Sequence, residues 1–417
     1  MTPVARLLVL LALAAFGCQS EAEIAESIPK PDDLGKRSDP RLAQAVADAQ
    51  RKIMDSPRSD EAWGHLGNVY LVHHWESEAA ACYRRAIELN SSEFRWHYYL
   101  GRALDTRDST EAVAAFAKAI ELDKDYAATY VYSSLALRRL NRLQEAREHL
   151  TRAGELAPRN PYSHLHLGEL DLVDGQYESA RDHLQKALAL NPGQSAAHSA
   201  MAQVCMALGD KPAAVRHAEA AKKTTQYTAM ADPRWGEVQL TGATAHWFAR
   251  RGNKYLQDGD IERAISELEI AVSGKQHDPE VWLNYGTALL HAEKFKEARA
   301  ALETAVEECG DSDELSQEIL KRITPEVRGK IHTNLGVAAA KLDDLSSAER
   351  HLTEAAKLDP TSFDAAFNLA TVYYTQGRLI KAVKFLEKAR DIRPEPKVVQ
   401  ALNALNMRLG RVPKSSD

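Results

Sequence analysis

DEAWGHLGNVYLVHHWESEAAACYRRAIELN, residues 60–90, decides the fold. Trp63, Leu66, Gly67 and Tyr70 fall at i, i+3, i+4 and i+7, which is one face of a helix. Ala79, Tyr83 and Ala86 make the matching stripe on a second helix. A hairpin of about 30 residues cannot bury either stripe alone, so the unit requires further copies stacked on it.

The chain supplies those copies. Aligning the two stripes gives starts at Asp60, Phe94, Ala127, Pro161, Ser195, Ala245, Pro279, Gly329 and Phe363. The step between starts is near-constant, except that the ones reaching Ala245 and Gly329 are longer. The second repeat loses a single position in its turn before Ala112, Phe116 and Ala119. The pattern resembles the tetratricopeptide repeat, a unit of about 34 residues with Trp, Leu-Gly and Tyr slots in its first helix, Ala, Phe and Ala slots in its second, and a closing Pro. Here Ser91 takes the Pro slot of the first copy, while Pro158, Pro192 and Pro394 close the third, fourth and ninth. The resemblance implies an all-α, right-handed α-solenoid, a superhelix of about nine helical hairpins spanning residues 60–396. It also implies a groove for protein or peptide partners, and no enzyme activity of its own.

The chain has 417 residues, is 44% hydrophobic and 27% charged, and carries a net charge of −6. It lacks the basic excess of a nucleic-acid binder. Residues 1–18 read as an export signal: Arg6 precedes the apolar run Leu7–Phe16, about half the ~20 residues a membrane-spanning helix needs. Ala15-Phe16-Gly17-Cys18 resembles the bacterial lipobox, which implies that Cys18 is acylated and becomes the mature N-terminus; an ordinary secretory cleavage nearby is the alternative reading. The implied location is the cell envelope, facing the periplasm and on the outer membrane of a two-membrane bacterium. Residues 19–38, rich in Glu and Pro, read as a flexible tether with a reach of about 25 Å. Asp39-Pro40 opens a capping helix within 39–57, residues 397–411 form a second cap, and 412–417 read as a disordered tail.

The two longer steps carry insertions, near 224–241 and 309–325. Asp232-Pro233 is placed to start a long first helix running from Arg234 to Gln257, and Asp313–Ile323 reads as a short extra helix. Such insertions are either simple elongation or partner contacts.

No Gly-rich phosphate loop, Cys-x-x-Cys or haem-attachment motif occurs, and the expectation is no cofactor. Cys82, Cys205 and Cys309 are scattered. Fifteen histidines include His149, His183 and His217 in one slot of successive repeats, with His351 in the same slot, and His97, His164, His198 and His332 in the Trp slot. Stacked helices stand about 8–10 Å apart, whereas zinc holds nitrogens at about 2.0–2.1 Å. The histidines therefore read as packing at the core's flank, with no metal expected. First-helix positions around Leu-Gly place Asn68, Tyr98, Tyr99, Arg102, Tyr132, His166, Glu169, Arg250 and Asn253 toward the groove. Asn284, Asn334 and Asn368 share one slot, and their row resembles the asparagine ladder with which some superhelices of this family hold a peptide backbone. Arg95, Tyr98, Tyr99, Arg102 and Tyr132 form a basic aromatic patch suited to an acidic or C-terminal carboxylate partner. The expected role is a membrane-tethered scaffold. Two settings for it are an assembly factor for a pilus, porin or polysaccharide exporter, and a non-catalytic subunit of a periplasmic enzyme.

Overall fold

The computed structural model describes residues 21–36, 39–223, 230, 232–273, 278–309 and 323–410. The export segment with Cys18, the helix expected over Asp313–Ile323 except its last residue, and the tail 412–417 lie outside the described residues. Among the described residues the regular structure is helical throughout, and the chain divides into two compact units at Gly242 and Ala243.

In the N-terminal unit five helix pairs follow one another: Asp60–Val72 with Glu76–Leu89, Phe94–Leu104 with Ser109–Leu122, Ala127–Arg139 with Leu143–Leu156, Pro161–Val173 with Tyr177–Leu190, and Ser195–Ala207 with Lys211–Lys223. Each helix packs on the next, so every pair covers the apolar stripe of its neighbour. The C-terminal unit repeats the scheme with Ala245–Asp258 and Ile261–Val272, Pro279–His291 and Phe295–Glu308, Pro325–Lys341 and Leu345–Leu358, and Phe363–Thr375 and Leu379–Ile392. Pro396–Arg408 then covers the last pair with Val398, Leu402 and Leu405. The eighth first helix opens at Pro325, ahead of Gly329, because Thr324 caps it by accepting from the Val327 N–H.

The pairs are close because of a small residue facing a large one. A Cβ on Gly67 would lie 2.6 Å from the Tyr83 ring, and one on Gly168 would lie 2.7 Å from Leu184. The partner always lies on the second helix of the same repeat: Gly101 meets Phe116, Gly252 meets Leu268, Gly286 meets Leu302 and Gly336 meets Leu352.

Two expectations need correction. Residues 19–38 are not a free tether over their described part. Glu21–Ser27 is helical, Leu34–Lys36 makes a 3-10 turn, and Ile24 and Ile28 are buried. The Tyr70 hydroxyl donates to the Pro29 carbonyl at 2.6 Å and Trp75 Nε1 donates to Asp33 at 2.6 Å. The i, i+4 pair of isoleucines supplies the apolar contact that the polar composition conceals. Nor is there one helix from Arg234 to Gln257. A short helix, Pro233–Gln239, is separated by residues 240–244 from Ala245–Asp258.

The turn inside every repeat but the second uses a left-handed residue. It is glycine in four copies (Gly175, Gly209, Gly259, Gly377), but His74, Asn141, Glu293 and Asp343 adopt φ of 58–62° in the others. In the second repeat the missing residue shortens this turn, and the N–H of Asp108 bonds directly to the Leu104 carbonyl at 2.8 Å. A side chain at positive φ costs about 1–2 kcal/mol, of which glycine's greater chain entropy returns part. Glu293 lies in such a turn, between Pro279–His291 and Phe295–Glu308. Glu293→Gly is therefore expected to stabilise the C-terminal unit by roughly 0.5–1 kcal/mol in urea unfolding.

Candidate functional site

The first helices of repeats two and three carry the basic aromatic patch, and the chain itself occupies it. The short helix Pro233–Gln239 packs on Asp60–Val72 and, with its cap Asp232, reaches the second and third repeats. Its capping residue, Asp232, accepts from the Tyr98 hydroxyl at 2.5 Å, from the Tyr126 hydroxyl at 2.6 Å and from Arg102 at 2.9 Å. It also accepts from the Trp235 N–H at 3.0 Å and so closes its own helical turn. The Arg102 guanidinium stacks on the Tyr132 ring at 3.6 Å and on the Trp235 ring at 4.2 Å. The Tyr99 hydroxyl lies 2.9 Å from both the Arg234 carbonyl and a Glu237 carboxylate oxygen.

This ion pair is buried. Side-chain exposure is 13% for Arg102 and 2% for Asp232. Burial pushes the Tyr98, Tyr99 and Tyr126 hydroxyls well above the ordinary tyrosine range, so Tyr98 and Tyr126 remain donors to Asp232 and Tyr99 to Glu237. Arg95 stands apart, bonded to Glu93 and Glu61 and stacked on Trp96 at 4.7 Å. Tyr126 and Trp235 escape the sequence reading, which names Asp232 only as a helix start. Their signal is the turn Asp-Pro-Arg-Trp at 232–235, which pairs a capping carboxylate with an aromatic residue three positions on.

The remaining groove candidates divide. Asn68 is buried and accepts from the Tyr83 hydroxyl at 2.8 Å, so its amide serves the helix pair. Glu169 accepts from Arg138 at 2.7 Å and lies 3.0 Å from His166 Nδ1. Burial alone would raise its pKa, but the bonds from His166 and Arg138 outweigh it and hold the carboxyl below its usual value. Arg250, Asn253 and Asn284 come together at one cavity of about 200 Å³, with Trp282 beside them. Asn253 Oδ1 is buried there without a hydrogen-bond partner. Asn334 instead donates to Thr287 of the preceding repeat at 2.8 Å, and Asn368 is half-buried in the ninth first helix.

The histidines meet within repeats. His198 Nδ1 and His217 Nδ1 are 2.9 Å apart, and His332 Nδ1 and His351 Nδ1 are 3.1 Å apart. The His164 and His183 rings stack at 5.8 Å. Arg350 donates to His351 Nε2 at 3.1 Å, which leaves the His351 Nδ1–H to donate to His332. The spacing of stacked helices therefore does not separate these side chains, because each pair spans the two helices of one hairpin. Among the described residues no group of three or more His, Cys, Asp and Glu is arranged to hold a metal ion.

Stacked helix pairs whose first helices present a polar, aromatic face define a repeat scaffold. Sequence profiles of the tetratricopeptide repeat match residues 77–127, 102–161, 172–231, 250–313 and 339–405, together well over half of the chain. The chain belongs to the tetratricopeptide repeat family, and as such it is a protein-interaction scaffold. Among solved structures it is similar to the crystal structure of MamA, at 19% identity over 38% of this chain and 94% of that one, with a TM-score of 0.36. It is also similar to PilF of Pseudomonas aeruginosa, at 17% identity over 60% of this chain and 84% of that one, TM-score 0.29. The Cut9–Hcn1 hetero-tetramer matches at 15% identity over 92% of this chain and 86% of that one, TM-score 0.36.

Two outcomes are expected. Arg102→Leu leaves the Asp232 carboxylate buried without its counter-ion and should destabilise the N-terminal unit by about 3–5 kcal/mol. Adding Asp232→Asn should recover much of that loss in denaturant unfolding, whereas additive losses would count against a coupled pair. The second outcome concerns acid. Burial, then the Arg350 and His332 charges, lower His351 to about 4, and burial lowers His332. The unfolded chain therefore binds protons that the folded pair refuses. Stability is fully present above about pH 6.5 and falls as pH drops toward 4, by roughly 1–2 kcal/mol after allowance for partial exposure. His351→Asn should flatten that slope in unfolding measured from pH 7 to 4.

Proposed function

We propose that the protein is an envelope-tethered scaffold that holds an extended partner peptide against the first helices of its C-terminal unit. The observation that carries this reading is the polar cavity lined by Arg250, Asn253 and Asn284, with the Asn253 side-chain oxygen buried and without a hydrogen-bond partner. A buried acceptor left unsatisfied costs about 1–3 kcal/mol, and a turn of the Asn253 side chain toward a peptide N–H in the cavity would remove that penalty. The Asn284 amide both donates and accepts, so it suits backbone whatever side chains the partner carries. Arg250, stacked on Trp247 at 4.9 Å, adds a cation for a carboxylate.

The anchoring half of the proposal rests on Gly17-Cys18 after the apolar run. No helix among the described residues is long and apolar enough to cross a membrane. Several acyl chains at Cys18, at about 0.8 kcal/mol per buried CH₂, would hold the repeats at the bilayer. So placed, the scaffold suits assembly of an envelope machine or organisation of a periplasmic enzyme, and cross-linking in membranes with identification of captured partners tells the two settings apart.

Asn253→Ala with Asn284→Ala is expected to weaken capture of the cross-linked partner at least tenfold, about 1.4 kcal/mol, with helix content unchanged. Retained capture would remove the cavity from the recognition surface. Cys18→Ser should move the protein from the membrane to the soluble fraction, and unaltered fractionation would place the anchor elsewhere.

A further inference from the structure

We propose that the first-helix face of the N-terminal unit is a second, separate recognition site, for a short helical turn carrying a carboxylate and, three positions later, an aromatic ring. Asp232–Gln239 is the ligand of that site built into the chain itself. A partner segment of the same chemistry replaces it.

The receptor half is complete without the segment. Arg102, Tyr98, Tyr126 and Tyr132 all belong to the second and third repeats or to the cap between them, and each is positioned by its own helix. Arg102 and Tyr132 make their stacking contact within the repeats, so the guanidinium stays aimed at the carboxylate position. The two hydroxyls converge on that position from successive repeats, one on each carboxylate oxygen. This is a carboxylate receptor with one cation and two neutral donors, plus a planar cation that receives an aromatic face.

The ligand half is a weak element in isolation. So short a helix is not stable in water by itself, and Pro233–Gln239 owes its form to the Asp232 cap, the proline and the surface beneath it. Its polar contacts are charged and directional. An inert plug for an apolar groove would be made of apolar side chains, because taking an ion pair out of water offsets most of what the pair gains. Such a contact adds specificity rather than large net stability, and it yields by mass action to a competitor that brings its own carboxylate and ring.

The site is chemically unlike the C-terminal cavity, where amides face the ligand, so either can fail alone. The test uses the full chain and a fluorescein-labelled synthetic peptide of residues 230–241. In an opened variant, Asp232→Asn with Trp235→Ala, the peptide should bind at least tenfold more tightly than to the wild type. Adding Arg102→Ala to that variant, or replacing the peptide's Asp or Trp by Ala, should lower binding tenfold or more. Absence of binding to an opened variant that keeps its helix content overturns the proposal and makes the segment a fixed part of the fold. If the opened variant loses its helices, hydrogen exchange on the wild type decides. Amides of residues 234–240 exchanging at least tenfold faster than those of Phe94–Leu104 support a displaceable ligand, and equal rates overturn it.

Discussion

Six of the repeats share one close approach, in which a glycine of the first helix receives a large side chain from the second helix. Gly67 against Tyr83, Gly101 against Phe116 and Gly286 against Leu302 are the same contact in three copies. The contact fixes the distance between the paired helices, and the distance fixes which side chains face inward. Buried alanines at Ala79, Ala112, Ala298 and Ala382 let the second helix settle equally close along its length. Interiors packed at this density transmit a misfit of one methyl group to the neighbours. The pair is therefore held in a single register, and the next pair stacks on a defined surface.

That surface leaves the first-helix face uncovered, and the two units treat it differently. In the N-terminal unit the face is closed by an ion pair and by rings: Arg102 lies against Tyr132 and Trp235 while Asp232 takes its charge. In the C-terminal unit the corresponding positions line a small polar cavity in which an amide oxygen goes unmatched. Both follow from the same geometry. The residue that follows the Gly slot is polar in both places, Arg102 or Asn253. What then satisfies that residue depends on the rest of the chain. At Asn68 the Tyr83 hydroxyl satisfies it locally, and the amide is consumed inside the repeat.

The fold class was legible because it is written nine times. Periodic Leu-Gly and Ala slots report a distance constraint that local sequence carries in full, since both partners of the contact lie within one repeat. The self-occupied groove was not legible, because Asp232 and Tyr98 are far apart in the chain and nothing in a repeat pattern records that pairing. The sequence flagged Tyr98, Tyr99, Arg102 and Tyr132 as a cluster, and it flagged Asp232-Pro233 as a helix start. It had no means of joining the two. The packed stretch before Asp39 was hidden for a related reason: two isoleucines among glutamates and prolines read as tether until Tyr70 and Trp75 reach back along the chain to hold it. The histidine pairs show a third gap. Their periodicity drew attention to the spacing between repeats, whereas the contact that matters joins the two helices of one repeat.

The Gly slot itself admits a direct measurement, a double-mutant cycle on Gly286 and Leu302 in denaturant unfolding. By helix propensity alone, Gly286→Ala in the middle of Pro279–His291 would stabilise by about 1 kcal/mol. In the structure the added Cβ lies 2.5 Å from Leu302 Cγ, and Leu302 is fully buried. The close-approach constraint therefore requires the sign to reverse, with Gly286→Ala destabilising by about 1–2 kcal/mol. In a Leu302→Ala background the methyl has room, and the same substitution should become stabilising, a coupling of at least ~1 kcal/mol. A Gly286→Ala effect that stabilises in both backgrounds, and adds to that of Leu302→Ala, would contradict the claim that this contact sets the repeat.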